Sequence, residues 1–187
     1  MRFLLFFLLS FQFLFSQENE LSTASLELIK QKVTYDPSYF SILYPNGDVP
    51  ANKGVCTDVI IRAYRKWGID LQKEVHDDMK NNFSLYPKIW KLKSTDRNID
   101  HRRVPNLMTF FSRKGIVKSI SIKPKDYIPG DIVCWNLHGG ITHIGIVVNK
   151  KTKDQKRYKI VHNIGSGQVL EDCLFDFKII GHYRYKN

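Results

Sequence analysis

Residues 142–149 read "THIGIVVN", a run dominated by β-branched residues with polar residues at both ends. Such a run is typical of a β-strand, in which side chains alternate between two faces. Four more runs of this kind fill the second half of the chain: "IVKSISI" (116–122), "GDIVCWNL" (130–137), "RYKIVHNIG" (157–165) and "KIIGHYRY" (178–185). Because they follow one another through Pro, Gly, Asn and Lys-rich breaks, the sequence predicts an antiparallel sheet.

The first half of the chain has a helical period instead. In "CTDVIIRAYRKWG" (56–68), the residues Ile60, Ala63, Tyr64 and Trp67 stand at i, i+3, i+4 and i+7, and Gly68 can end the helix. Further helices are predicted in segments 21–33, 71–83 and 105–115. Helices followed by strands predict an α+β fold with N-terminal helices packed on a C-terminal antiparallel sheet.

The N-terminus has the organisation of a secretory signal peptide. Arg2 precedes the apolar run "FLLFFLLSFQFLF", and Ser16 precedes the polar "QENE". We therefore predict a signal peptide over 1–16, a helical lead-in over 17–34 and one domain over 35–187. The apolar run is shorter than the roughly 20 residues that cross a bilayer. These features predict a periplasmic or secreted protein without a stable membrane anchor.

The chain is strongly basic, with a formal net charge of +11 that drops to +10 when Arg2 is removed. A basic protein outside the cytoplasm suits an acidic polymer or an anionic surface. The lysines are scattered, and the densest run, "KKTKDQKR" (150–157), is typical of a solvated hairpin loop. No nucleic-acid motif accompanies the charge, so nucleic acid is not predicted as a partner. The oligomeric state stays open.

Three cysteines stand in a chain that is predicted to reach an oxidising compartment: Cys56, Cys134 and Cys173. An odd number leaves at least one thiol free or paired with another molecule. Cys134 and Cys173 are candidates for a bridge to each other, and Cys56 is the candidate for the free thiol.

Cys56 stands at the predicted start of the first well-patterned helix. The free N–H groups and the positive dipole end at such a place favour a thiolate, and can lower a cysteine pKa to about 3.5–7.5. The same N–H groups can bind the oxyanion that forms when a thiolate attacks an amide carbonyl. The position therefore predicts a nucleophile, although a buried cysteine is more often an inert apolar residue.

Two histidines supply the base that a thiol nucleophile requires. His143 stands at the beginning of "HIGIVV", and His162 stands in the next predicted strand, "KIVHN". If the two strands pair through the 150–157 hairpin, His162 can orient His143. Asn163 is the competing third member and is otherwise a candidate for substrate binding. Because adjacent residues of a strand point to opposite faces, only one of His162 and Asn163 should point at the site. Gly145 suits a strand that lies close to a helix.

A metal site is the alternative for the same side chains. Cys56, His143 and His162 are all of ligand type, but the sequence lacks the C-x-x-C or H-x-x-x-H spacing of zinc sites. Neither a metal nor another cofactor is predicted. Arg102 and Arg103 carry planar forks suited to substrate carboxylates, or to salt bridges with Asp96 or Asp100.

The order of cysteine, histidine and polar residue, with helix before sheet, resembles the papain-like cysteine hydrolases and in particular the NlpC-type cell-wall peptidases. "PGDIVCWN" is similar to the turn and first sheet strand of that group, and "HIGIVV" to its histidine strand. The resemblance implies a histidine, here His162, as third catalytic residue. Val55, Cys56, Thr57 and Asp58 replace the usual Asp-Cys-Ser-Gly, so substrate contacts of that tetrad do not carry over.

A nearer resemblance links the chain to the YijF-like family of secreted bacterial proteins of unknown function. It rests on "YPNGDVPANKGVCTDVIIRAYR", "DRNIDHRRVPNL", "GDIVCWNL", "THIGIV", "VHNIGSG" and "IIGHYRY". These motifs cover nearly everything from Tyr35 to Tyr185.

The sequence thus leads to three hypotheses. The first is an extracytoplasmic cysteine hydrolase, Cys56 with His143 and His162, that cleaves amide bonds in peptidoglycan peptides. The second is a binding module of the same fold that holds wall peptide without cutting it. The third is an acyl-transfer or effector enzyme that uses the same three residues.

Overall fold

The computed structural model describes residues 20–186. The predicted signal peptide lies outside these residues. Within the described range, no helix is long and apolar enough to cross a membrane. The four α-helices there are α1 (20–28), α2 (Cys56–Lys66), α3 (Leu71–Asn81) and α4 (Val104–Lys114), with short 3₁₀ turns between them.

Eight strands accompany these helices. A two-stranded parallel ribbon, β1 (Thr34–Tyr35) with β2 (Lys53–Gly54), precedes α2. The main sheet contains β3 (Ile116–Val117), β4 (Ile132–Asn136), β5 (Thr142–Lys151), β6 (Tyr158–His162), β7 (Val169–Glu171) and β8 (Lys178–Arg184). Its order is β3-β8-β4-β5-β6-β7, and every pair is antiparallel. The predicted α+β class, with helices packed on a C-terminal antiparallel sheet, is confirmed.

The sheet buries a different apolar cluster on each face. The cluster on the helical side, which we call the helix-side core, joins α1, α2 and α4 to residues such as Ile144 and Ile146 of β5. The smaller far-side core contains Trp135, Val147 and Ile160. This division follows from the alternation of side chains along each strand.

Helix α2 has the boundaries that its sequence predicts. Ile60, Ala63 and Tyr64 are fully buried in the helix-side core, and Trp67 packs against it. The helix ends before Gly68, whose φ of 81° places it in the left-handed region that favours glycine. Helix α2 contacts β5, the strand that carries His143.

One predicted strand and one predicted disulfide are corrected. The run 116–122 forms a strand only over Ile116–Val117, and Ile120 and Ile122 beyond it are exposed, so they gain no burial from pairing. Cys134 and Cys173 form no disulfide, because they belong to the cores on opposite faces of the sheet. All three cysteines are free and buried.

Candidate active site

Cys56 is the first residue of α2, and an ion pair holds this helix start. Val55 precedes it in an extended conformation, and its N–H donates to Oδ2 of Asp58 at 2.7 Å. Asp58 in turn accepts from Nε and Nη2 of Arg102 at 2.9 and 3.0 Å. Both side chains of the pair are at least 95% buried. The pair therefore fixes the backbone that presents Cys56.

This arrangement corrects the prediction for Arg102. The remaining amino group of Arg102 donates to the carbonyl of Ser38 at 3.0 Å, and the hydroxyl of Thr57 donates to the backbone carbonyl of Arg102 at 3.2 Å. The fork thus binds Asp58 inside the protein instead of a substrate carboxylate, and neither Asp96 nor Asp100 is its partner. Arg103 stacks over the ring of Trp90, with 4.2 Å between the guanidinium carbon and the ring centroid.

Burial dominates the electrostatics of Cys56. Only 7% of the residue is exposed, and this burial raises the pKa of its thiol to about 12. The N–H groups of Ile144, Thr57 and Cys56 itself act in the opposite direction without cancelling the effect. The predicted low pKa of the Cys56 thiol is therefore wrong, and the thiol is neutral at pH 7. The sequence could show the helix start but not how deeply the thiol is buried.

The two predicted histidines are in direct contact. Strands β5 and β6 pair as the hairpin prediction requires, with Ile146 opposite Val161. Nε2 of His143 lies 2.8 Å from Nδ1 of His162, and Nε2 of His162 lies 3.0 Å from Oε2 of Glu171. The chain of hydrogen bonds therefore crosses three neighbouring strands, from β5 to β7.

The carboxylate at the end of this chain determines where the protons lie. An ionised carboxylate only accepts, so His162 donates from Nε2 to Glu171 and accepts at Nδ1 from His143. His143 then carries its proton on Nε2, and its Nδ1 is a free base. Glu171 thus selects the tautomer in which His143 is able to take a proton. Sequence reasoning missed Glu171, since it lies on a three-residue strand with little strand signal.

Both imidazoles are neutral at neutral pH. Burial lowers the pKa of His143 to about 3, and the neighbouring His162 lowers it further. Burial also lowers the pKa of His162, although Glu171 acts to raise it. The resting site therefore combines a neutral thiol with a neutral imidazole.

Cys56 and His143 approach the beginning of β5 from its two faces. The thiol lies against the N–H of Ile144, in the helix-side core. The His143 ring lies 5.8 Å from the ring of Trp135, in the far-side core. Within residues 20–186, no hydrogen bond joins Sγ of Cys56 to either imidazole. The structure thus brings the two histidines together and places the thiol beside the residue that follows His143.

Asn163 occupies the opposite face of β6 from His162. Its Nδ2 donates to the carbonyl of Gly54 at 3.1 Å, and its Oδ1 accepts from the N–H of Gly165. Asn163 is fully buried, so it is not available to a substrate, which corrects its predicted binding role. It instead ties β6 to the ribbon that leads into Cys56, and His162 is the residue that contacts His143.

Two further side chains belong to this neighbourhood. Burial raises the pKa of Tyr35, and so do the nearby Cys56 and Asp58, which places its hydroxyl near the thiol. About 40% of Tyr35 is exposed, so it stands between solvent and the site. Sγ of Cys173 lies 3.5 Å from Nε2 of His162. Neither neighbour follows from sequence spacing, because each lies on a different segment of the chain from its partner.

Comparisons with known proteins identify a family and one related protein. Residues 22–185 match the family described as a domain of unknown function, DUF1287. An uncharacterized protein of Escherichia coli, YijF, is 53% identical over 151 residues, which cover 81% of this chain and 73% of that protein. A crystal structure from Staphylococcus aureus, described as similar to a lipoprotein of the NLP/P60 family, matches with 17% identity and a TM-score of 0.40. The match spans 92% of this chain and 42% of that one.

Proposed function

This chain belongs to the DUF1287 family, and from the geometry of its site we propose that it is an extracytoplasmic cysteine hydrolase. The observation that supports this proposal is the chain of hydrogen bonds from His143 through His162 to Glu171. Its first member, His143, directly precedes Ile144, whose N–H lies against the Cys56 thiol. A thiol, an imidazole and a polar group that orients the imidazole are the components of covalent amide hydrolysis.

The proposed reaction begins with proton transfer from the thiol to Nδ1 of His143 as Sγ attacks the amide carbonyl. Because both groups are neutral at rest, charge develops only as the new C–S bond forms. The N–H groups of Cys56 and Thr57 at the helix start are donors for the oxyanion. Because the thiol and the His143 ring contact the beginning of β5 from different faces, the proposed transfer requires this end of the strand to move when substrate binds, so that Nδ1 of His143 reaches Sγ.

The second half of the reaction returns the proton. The His143 imidazolium protonates the leaving amine as the C–N bond breaks, which leaves a thioester on Cys56. Water then attacks this thioester, gives its proton to His143, and releases the acid and the thiol. Glu171 keeps its negative charge throughout and stabilises the two imidazoles while they carry the extra proton.

The proposed substrate is a peptidoglycan peptide. The chain carries a predicted signal peptide and a net charge of +11, and stem peptides are abundant amides that carry carboxylates. Because the guanidinium of Arg102 is bound to Asp58, Arg103 is the one of these two arginines that can still bind a substrate carboxylate. Burial lowers its pKa, and its Nη1 lies buried without a hydrogen-bond partner in the described chain.

The test is the Cys56→Ala variant on defined wall fragments, with products identified by mass spectrometry. We expect wild-type protein to increase the product mass by one water across a cleaved amide, and the variant to yield none. Circular dichroism shows whether the variant is folded, and Cys134→Ala, which removes a different buried thiol, is the matched control. Equal cleavage by Cys56→Ala and wild type rejects the proposal.

A non-catalytic wall-peptide binding module is the second candidate. The raised pKa of Cys56, and the missing hydrogen bond between its thiol and the imidazoles in the described chain, favour it. A binding module predicts that wild type and Cys56→Ala bind the same fragment with equal affinity and that neither changes its mass. A thioester trapped on Cys56 of wild type would reject the binding module.

A further inference from the structure

One cluster of ligand-type side chains is only partly used by the proposed reaction. His162, Glu171 and Cys173 present Nε2, Oε2 and Sγ within 4.8 Å of one another. His162 orients His143, and Glu171 determines the tautomer, but the Cys173 thiol has no role in that scheme. We propose that these three side chains form a zinc site, and that zinc there switches the proposed hydrolase off.

The distances suit a small divalent ion with a tetrahedral preference. From Zn–N, Zn–S and Zn–O bond lengths, ideal tetrahedral ligands stand about 3.6 Å apart for N and S and about 3.4 Å apart for N and O. Sγ of Cys173 lies 3.5 Å from Nε2 of His162, and Oε2 of Glu171 lies 3.0 Å from the same nitrogen. The third pair, Sγ of Cys173 and Oε2 of Glu171, lies within 4.8 Å. Ideal tetrahedral O and S ligands stand about 3.6 Å apart, so the half-exposed Glu171 carboxylate would move by about 1 Å towards Cys173 to complete this geometry.

The donor set also selects the metal. A thiolate and an imidazole nitrogen favour zinc and its close chemical relatives over magnesium or calcium, which prefer oxygen ligands. Three protein ligands leave the fourth tetrahedral position for water. Asp172 is unsuited to that position, because it is held by a two-bond ion pair with Arg157 at 2.6 Å.

Charge and access both favour a cation at this place. The carboxylates of Glu171, Asp172 and Asp176 lie close enough to Cys173 to raise the pKa of its thiol, in addition to the larger effect of burial. Arg157 neutralises part of this negative charge through Asp172. About half of the Glu171 side chain is exposed on the edge strand β7, which provides an entry path. Binding would release the thiol proton to solvent, and Cys173 would bind as thiolate.

The effect on the catalytic chain follows from the tautomers and depends on the proposed function. A metal bound to Nε2 of His162 occupies the nitrogen that otherwise donates to Glu171. His162 then carries its proton on Nδ1 and donates it to Nε2 of His143. This requires His143 to hold its own proton on Nδ1, the atom that must accept from Cys56. Zinc would therefore leave the thiol without a base.

Cobalt(II) tests the site without any assay of activity, because a thiolate bound to cobalt gives an intense charge-transfer absorption. We expect this absorption in wild-type protein and in Cys56→Ala, and its loss on addition of one equivalent of zinc. We expect Cys173→Ser to lack it. The proposed site is overturned if wild-type protein does not show this absorption. It is also overturned if Cys56→Ala loses the absorption while Cys173→Ser keeps it.

A second variant guards against misfolding of Cys173→Ser. Glu171 is half exposed, so Glu171→Gln leaves the core intact, and we expect it to weaken zinc binding by at least about tenfold. Unchanged affinity in this variant overturns the ligand set. Inhibition is measured separately: zinc should inhibit cleavage by wild type, and Cys173→Ser should need at least about tenfold more zinc. Equal inhibition of both would remove the switch even if the cobalt site exists.

Discussion

The buried ion pair under the nucleophile allows a quantitative test of how the site is supported. Arg102→Leu keeps most of the side-chain volume and removes the charge that faces Asp58. The side chains of Arg102 and Asp58 are 2% and 4% exposed, so water cannot replace the lost partner. Breaking such a pair by removing one member costs about 3–5 kcal/mol. For a chain of this length that corresponds to a fall in Tm of roughly 6–20 °C.

The assay is guanidinium unfolding followed by far-ultraviolet circular dichroism. The control is Lys73→Ala, which breaks the exposed pair between Lys73 and Asp77, whose side chains are 54% and 45% exposed. An exposed pair of this kind contributes about 0–1 kcal/mol. If Arg102→Leu costs no more than this control, the pair does not support the helix start.

A double variant separates the buried charge from other losses. Asp58→Asn added to Arg102→Leu removes the carboxylate that the single variant leaves unpaired. We expect the double variant to be more stable than Arg102→Leu alone, because no uncompensated charge remains in the interior. A double variant that is less stable than Arg102→Leu would refute the reasoning, since the cost would then lie in packing or in the Asp58 bond to Val55.

Three further predictions concern the titrating groups. Glu171→Ala should lower kcat by roughly 10–100-fold with little change in KM, whereas Glu171→Gln, which keeps a hydrogen-bond acceptor, should retain most of the wild-type kcat. An equal loss of kcat in both variants would contradict the assignment of the tautomers by Glu171. Because burial raises the pKa of Cys56 to about 12, the rate of its alkylation by iodoacetamide should rise about tenfold per pH unit from pH 7 to 10. A rate that is already constant near pH 7 would show that the thiol is ionised there. Burial lowers the pKa of His143 to about 3, so below about pH 6.5 this histidine takes up a proton in the unfolded chain but not in the folded one, and the free energy of unfolding should fall as the pH drops from 6.5 towards 3. His143→Gln should reduce the difference in the free energy of unfolding between pH 7 and pH 5.

Much of the fold was predictable because local pattern and tertiary packing agree. The stripe of Ile60, Ala63 and Tyr64 is buried as its helical spacing predicts. The β5–β6 pair follows from two β-branched runs joined by a polar loop, and it brings His143 to His162. In both cases a residue's environment is determined by neighbours within a few turns or one hairpin.

The remaining features depend on which distant segments pack together. The sequence could not show that Arg102 reaches Asp58, because 44 residues separate them. The pKa of Cys56 depends on the depth of its burial against β5, which no helix-start pattern encodes. Glu171 belongs to a strand of three residues, which is recognisable only once β6 is present to pair with it.

Gly145 shows how the register of the sheet determines the geometry of the site. The sequence predicted that Gly145 allows its strand to lie close to a helix, but the atoms nearest to Gly145 belong to the neighbouring strand β6. A Cβ at this position would stand 2.6 Å from Cγ2 of Ile160 and 3.2 Å from Cβ of His162. His143 and Gly145 share a face of β5, since they are two residues apart. The missing side chain therefore leaves room for Ile160 and His162 beside β5. A residue with a Cβ would force the Ile160 side chain to shift and would press on Cβ of His162, whose ring makes the 2.8 Å contact with His143 on which the proposed reaction depends.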